Sequence, residues 1–162
     1  MIAPADRVYV DEAGVEDTLD YAYGWSQRGT RCPAERLGHG TQRISMVAAW
    51  CQTAKGAAQV LAPMTFQGHC DSELIELWFQ EFLLPVLQPG QTIILDNASF
   101  HRKGTLQTLL QSVGCQLLAL PPYSPDLNRI EPLWNTLKRR ICLTSNTTLS
   151  FWDKVDAAFR SL

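Results

Sequence analysis

The chain has 162 residues, of which 46% are hydrophobic and 19% are charged, and its formal net charge is −2 at pH 7. This length and apolar content suffice for one globular domain with a buried core. The near-neutral balance excludes a protein that binds nucleic acid through overall positive charge. Such a role would have to rest on local basic patches or on bound cations.

The N-terminal residues and the cysteines bear on where the protein resides. The sequence begins Met-Ile-Ala-Pro-Ala-Asp-Arg, without a basic segment followed by an apolar stretch, and no apolar run reaches membrane-spanning length. The five cysteines are widely spaced and include no C-x-x-C pair, which favours reduced thiols over a disulfide framework or a zinc cluster. We therefore expect a cytoplasmic protein without membrane contacts.

Apolar or alternating stretches predict four strands in the first half of the chain. They are Val8 to Asp11, the alternating Tyr21, Tyr23 and Trp25, Ile44 to Cys51, and Ala57 to Phe66. The residues between Gly29 and Gly40 show no periodicity and predict a surface loop. Lys55-Gly56 predicts the turn between the last two strands.

Helical and strand patterns alternate in the second half. Asp71 or Ser72 is expected to cap a helix whose apolar residues, including Phe82 and Val86, follow a spacing of three and four. The later predicted elements are the strand Thr92 to Leu95, a helix from about Lys103 to Val113, a buried strand from Cys115 to Leu120, a helix with Ile130, Leu133, Trp134, Leu137 and Ile141 on its apolar stripe, and an amphipathic segment from Leu149 to Leu162. This order predicts an α/β fold in which helices cover a mixed sheet.

Three acidic residues lie at junctions of the predicted elements: Asp11, Asp96 and Glu131. Each has a plainer explanation, because Asp11 or Asp96 could form a turn and Glu131 could close a capping box with Asn128 as the N-cap. Open sheets nevertheless present ligand sites at the carboxyl ends of their strands. If the three carboxylates converge, they form an oxygen-rich site for hard cations such as Mg²⁺, which suggests metal-assisted phosphoryl transfer.

Two longer motifs carry a resemblance to a known family. They are ILDNASFHR, from Ile94 to Arg102, and LPPYSPDLNRIEPLW, from Leu120 to Trp134, and 34 residues intervene between Asp96 and Glu131. From Val8 to about Ile141 the chain closely resembles the catalytic core of bacterial insertion-sequence transposases related to the mariner superfamily, in which this spacing is typical. Members usually show Asn-Pro-Ile-Glu where this chain has Asn-Arg-Ile-Glu, a change at the first helical turn that removes no acidic residue.

The resemblance implies a ribonuclease-H-like fold in which Asp11, Asp96 and Glu131 hold two Mg²⁺ ions, with Mn²⁺ as a substitute. It also implies a DNA transposase catalytic domain that cleaves and transfers strands at transposon ends, with terminal inverted repeats and target DNA as partners. Members usually carry helix-turn-helix modules upstream, so residues 1–162 are expected to be a single catalytic domain that lacks them. The expected origin is either a reading frame joined to an upstream DNA-binding part or a truncated remnant.

Two alternative functions stay open at the level of sequence. One is a general ribonuclease-H-like nuclease that acts on RNA–DNA hybrids or junctions with the same carboxylates. The other is a non-catalytic remnant that pairs with a full-length transposase and modulates it. The sequence also leaves open whether the chain forms a homodimer.

Six further residues are candidates for supporting the carboxylates or contacting DNA. They are Asn97, His101, Arg102, Lys103, Asn128 and Lys138. His101 is expected to orient Glu131 or to contact a phosphate, although a polar residue at a helix start explains it equally well. The basic residues would bind the DNA backbone through charge, whereas Lys138 also suits the negative C-terminal end of a helix. Trp134 is expected to belong to the core.

Overall fold

The computed structural model describes residues 2–17, 26–31, 42–122, 124–144 and 148–162. One mixed sheet has the strand order β3-β2-β1-β4-β5, in which β1 is antiparallel to β2, β2 is antiparallel to β3, and β4 is parallel to both β1 and β5. The strands are β1 (Arg7–Glu16), β2 (Arg43–Gln52), β3 (Ala58–Phe66), β4 (Thr92–Leu95) and β5 (Gln116–Ala119). The predicted α/β architecture with a mixed sheet is confirmed.

Within these described ranges, four α-helices cover the two faces of the sheet. They are α1 (Ser72–Trp78), α2 (Lys103–Ser112), α3 (Glu131–Leu143) and α4 (Phe151–Arg160). Because successive residues of a strand point to opposite faces, Val8 and Val10 join a core with α1 and α2, whereas Tyr9 joins a core with α3 and α4. None of the helices within the described ranges is long and apolar enough to cross a membrane.

A π-helical turn after α1 changes which side chains of this region lie on its apolar stripe. The Asp71 side chain caps α1 by accepting the Leu74 N–H at 2.9 Å, as the sequence predicts. Beyond α1 the chain continues as a π-helical turn, Phe79–Leu83, and a 3₁₀ turn, Leu84–Val86. The wider turn shifts the phase of the side chains, so the expectation that Phe82 lies on the apolar stripe is wrong: its exposed fraction is 47%.

The last strand of the sheet is also less buried than expected. Among the described strands β5 pairs only with β4 and therefore forms an edge, where Leu118 keeps 45% of its surface exposed. The prediction of a buried strand from Cys115 to Leu120 is wrong in this respect, because apolar composition does not reveal whether a further strand pairs alongside. The predicted strand at Tyr21, Tyr23 and Trp25, and residues 32–40 of the predicted loop, lie outside the described residues.

Candidate active site

Asp11 lies in the middle of β1, where the strand loses one of its two neighbours. The parallel pairing with β4 ends at Tyr9 opposite Ile94, whereas the antiparallel pairing with β2 continues through Asp11 opposite Ala48. The expectation that the first strand ends at Asp11 is therefore wrong, because β2 supports β1 as far as Glu16. The side chain of Asp11 is instead positioned at the gap that opens beside β4.

Asp96 immediately follows β4, at the carboxyl end of that strand. Its Oδ1 accepts the Ala98 N–H at 3.0 Å, which is the hydrogen bond of an Asx turn. The local explanation suggested by the sequence is thus correct. It does not exclude a second role, because 47% of the Asp96 side chain remains exposed.

Glu131 is the first residue of α3, and it does not belong to a capping box. Ile130 occupies the N-cap position, and no side chain caps the helix. The interpretation of Asn128 as the N-cap is therefore wrong, because α3 begins two residues later than that interpretation requires. The exposed Glu131 carboxylate does not accept the backbone N–H of an N-cap residue, as it would in a capping box. It is therefore available to the neighbouring cavity.

The three acidic residues line one cavity of about 480 Å³. The other residues around this cavity are Asn97, Ala98, Leu120, Pro121, Pro122, Ser124 and Asn128. We call it the carboxylate cavity. A larger and more apolar cavity, of about 730 Å³, shares Glu131 and Asn128 with it and includes Trp50 and Leu133. The carboxylate cavity thus brings Asp11, Asp96 and Glu131 together, and their catalytic and metal-binding roles stay predictions.

Burial dominates the electrostatics of Asp11. Loss of solvent, followed by repulsion from Glu12, raises the pKa of Asp11 from 3.8 to about 7, and Glu131 adds to the rise. The indole Nε1–H of Trp134 opposes this effect by donating a hydrogen bond to Asp11 Oδ2 at 3.0 Å. A cation in the carboxylate cavity would relieve the repulsion between these acidic groups.

His101 connects Asp96 with Glu12. Its Nε2 is 2.9 Å from Glu12 Oε1, and its Nδ1 is 3.2 Å from Asp96 Oδ1, although this second N–H is not aligned as a good hydrogen bond. The interaction with His101, and then the Ala98 N–H, lower the pKa of Asp96 against the effect of burial. Burial alone lowers the pKa of His101, but Asp96 and Glu12 outweigh it and raise that pKa to about 9.

These contacts differ from the prediction that His101 orients Glu131. Its buried ring is engaged by Asp96 and Glu12, so it supports Asp96 and not Glu131. The sequence offered Glu12 only as the neighbour of Asp11 at the first acidic position, and sequence reasoning missed Trp134 as part of the site. The signals were present: Glu12 follows Asp11 and must point to the opposite face of β1, and Trp134 lies one helical turn beyond Glu131.

The remaining candidates are distributed unevenly around the cavity. Asn97 and the buried Asn128 line it, and Asn128 Oδ1 has no hydrogen-bond partner among the described residues. Lys103 opens α2 and is close enough to lower the pKa of Asp96. Arg102 instead pairs with Glu76 at 3.6 Å, and neither Arg102 nor Lys138 belongs to the described lining of the cavity.

The carboxylate cavity fits a hard divalent cation by its chemistry. Its three carboxylates supply the oxygen donors that Mg²⁺ and Mn²⁺ prefer, and burial of Asp11 beside two other acidic groups favours a compensating positive charge. Within the part of the chain that the structure describes, no three acidic, histidine or cysteine side chains are already clustered at ligating distances. The donors therefore share the cavity without closing around its centre.

Solved structures share this fold at low sequence identity. The Mos1 strand transfer complex matches with a TM-score of 0.71 and 15% identity, covering 98% of this chain and 47% of that chain. The Mos1 mariner paired end complex with Mn gives 0.67 and 14%, covering 99% and 49%. The catalytic core domain of BIV integrase gives 0.56 and 12%, covering 98% and 83%. The fold is thus the ribonuclease-H-like fold of transposase and integrase catalytic cores.

The sequence comparison is consistent with that fold. No curated protein matches the sequence significantly. The chain spans about half the length of the Mos1 chains that it resembles. The family model for the DDE superfamily endonucleases matches residues 6–149, which is most of the chain. The protein therefore belongs to the DDE superfamily endonucleases.

Proposed function

We propose that this chain is the catalytic domain of a DNA transposase, which cleaves DNA strands at transposon ends and joins them to target DNA. The observation that carries the proposal is the shared cavity of Asp11, Asp96 and Glu131, which come from two neighbouring strands and a helix start. Family membership supports endonuclease chemistry at this place. The two motifs found in the sequence surround the same cavity.

In this proposal the three carboxylates hold two divalent cations, Mg²⁺ or Mn²⁺. When bound, such cations would supply the positive charge that activates an attacking water or DNA 3′-hydroxyl and that stabilises the leaving oxygen. Asp96 is ready for this role because His101 and the Ala98 N–H favour its ionised form. Asp11, with a pKa of about 7, would give up its proton more fully when the cations bind.

The DNA partner is proposed from the lining of the site and from the structural neighbours. The structural neighbours include a Mos1 strand transfer complex and a Mos1 transposase paired-end complex with the left transposon end. For this chain we propose terminal inverted repeats and target DNA as partners. Asn97 and Asn128 would contact the strand inside the cavity, and Lys103 would add positive charge beside Asp96.

Nicking of a supercoiled plasmid in the presence of Mn²⁺ tests this proposal without knowledge of the transposon ends. Asp96→Asn is expected to reduce the nicking rate by about 10³-fold or more, because metal-assisted stabilisation is worth several kcal/mol. Asp6→Asn is the matched control, since Asp6 is exposed at the opposite end of β1. Equal nicking by the wild type and Asp96→Asn would refute the proposed active site.

An RNA–DNA hybrid in the same assay separates the proposal from a general ribonuclease-H-like nuclease. A transposase domain is expected to cleave duplex DNA and to show no preference for the hybrid. Strong preference for the hybrid, with the same dependence on Asp96, would assign the carboxylate cavity to the alternative nuclease.

A further inference from the structure

Two buried tryptophans on opposite faces of the sheet use their indole N–H groups differently. Trp78 has no exposed surface and donates to the backbone carbonyl of Ala62 at 2.8 Å, which satisfies an ordinary core residue. Trp134 is 2% exposed and donates to the carboxylate Oδ2 of Asp11 at 3.0 Å. The partner of Trp134 is therefore a side chain of the carboxylate cavity.

The surroundings of Trp134 hold its ring in place. The ring packs edge-on against Phe159 of α4, with centroids 6.5 Å apart. Trp134 also lies one turn beyond Glu131 on α3, so the same helix carries the third carboxylate and the donor to the first. The hydrogen bond consequently ties α3 to β1 at the level of the cavity.

A fixed donor on one oxygen limits the orientations that the Asp11 carboxylate can adopt. Hydrogen-bond partners of metal-binding side chains orient those side chains, and loss of such a partner commonly weakens metal binding by roughly 10- to 100-fold. Because no three acidic, histidine or cysteine side chains of the described residues are clustered at ligating distances, the donors of the carboxylate cavity need such external support to converge on a cation. Support from a buried indole on a packed helix is more rigid than support from an exposed side chain.

We propose that Trp134 is a positioning residue for Asp11. Its indole N–H holds the Asp11 carboxylate in the orientation that binds a divalent cation. This inference rests on the proposed function, since it takes Asp11 as a metal ligand. It goes beyond the proposed function by giving a core residue of α3 a specific task in metal binding. Trp134 itself contacts neither the cation nor the DNA in this scheme.

Calorimetric titration with Mn²⁺ of three proteins tests the inference: the wild type, Trp134→Phe and Trp78→Phe. Both variants keep an aromatic ring and lose one buried N–H, so both are expected to lose thermal stability. Only Trp134→Phe is expected to weaken Mn²⁺ binding, by roughly 10-fold or more. Equal weakening in both variants, or unchanged affinity in Trp134→Phe, would overturn the positioning role.

A second measurement on the wild type does not depend on the folding of a variant. In a ¹H–¹⁵N spectrum, the Trp134 indole resonance is assigned through its contacts with Phe159, and the Trp78 resonance through Phe79, whose ring centroid is 5.4 Å away. Mg²⁺ is expected to shift the Trp134 resonance and to leave that of Trp78 in place. An unmoved Trp134 resonance under saturating Mg²⁺ would overturn the inference.

The two proposals fail in different ways. If the wild type binds no Mn²⁺ and its spectrum does not respond to Mg²⁺, the metal-dependent function and the role of Trp134 are both refuted. If the wild type binds Mn²⁺, Asp96→Asn does not, and Trp134→Phe binds as the wild type does, then the active site stands and only the positioning role is refuted.

Discussion

Asp11 and Asp96 lie on neighbouring strands and line the same cavity, yet their surroundings shift their pKa values in opposite directions. Asp11 is partly buried beside Glu12 and Glu131, and these effects outweigh the hydrogen bond from the neutral indole of Trp134, so its pKa rises to about 7. Asp96 is nearly half exposed, and its interaction with His101 lowers its pKa. The comparison shows that neighbouring charges and burial, more than position on a strand, decide how each carboxylate titrates.

The largest effect on stability is expected on the Asp96 side of the site. His101→Ala would leave Glu12, whose side chain is only 15% exposed, without its partner, and we expect a loss of roughly 3 kcal/mol in the free energy of unfolding. Urea denaturation would measure this loss. His69→Ala is the control, since His69 is exposed, and we expect a change within about 0.5 kcal/mol. Similar values for both variants would mean that the His101 contacts contribute little.

The opposite signs of the two pKa shifts predict opposite effects of removing each charge. Because the folded pKa of Asp11 is raised, its ionised form destabilises the metal-free protein as pH rises from 3.8 through about 7. Above that range Asp11→Asn should increase the free energy of unfolding by roughly 1 kcal/mol or more. Asp96→Asn should decrease it, because it weakens the ion pair with His101. Urea denaturation in the presence of a chelator measures the free energy of unfolding of both variants. A change of the same sign in both would contradict the opposite pKa shifts of Asp11 and Asp96.

The pH dependence of stability sharpens the contribution of His101. Its folded pKa is about 9 against an ordinary 6.5, so the folded state binds the proton more tightly. This contribution is complete below about 6.5 and is lost as pH rises through about 9. Between these values the wild type should lose more stability than His101→Gln, as measured by urea denaturation at successive pH values. Parallel curves would show that His101 does not carry this proton linkage.

The smallest effect is expected for Lys103, the basic side chain next to Asp96. If Lys103 contacts one DNA phosphate, Lys103→Ala should reduce the slope of log affinity against log salt concentration by about 0.9 and should barely change stability. Fluorescence anisotropy with a labelled duplex at several salt concentrations measures this slope. Lys55→Ala, in the exposed turn between β2 and β3, provides the control. An unchanged slope would remove Lys103 from the DNA-binding surface.

Local patterns in the sequence were sufficient for several elements of the fold. The uninterrupted apolar run of β4 and the stripe of α3 place Asp96 and Glu131 at a strand end and a helix start. The end of β1 was not predictable in this way, because its extension depends on pairing with β2. For the same reason composition did not reveal that β5 is an edge strand.

The supporting contacts of the site were harder to predict than its carboxylates. The three acidic positions could be proposed from motifs and from the chemistry of metal ligands. The partners of His101 and Trp134 could not, since 89 and 123 residues separate each donor from its acceptor in sequence. Only the packing of α2 and α3 against opposite faces of the sheet brings these residues to β1.

The adjacency of Asp11 and Glu12 makes the site sensitive to the alignment of a single strand. Consecutive residues of β1 point to opposite faces, so Asp11 meets Trp134 on the α3 side while Glu12 meets His101 on the α2 side. A one-residue slip of β1 against β2 would exchange the two acidic side chains without changing composition, charge or hydrophobicity. Insertions or deletions within β1 or β2 should therefore be much less tolerated than substitutions, even where Asp11, Asp96 and Glu131 are all retained.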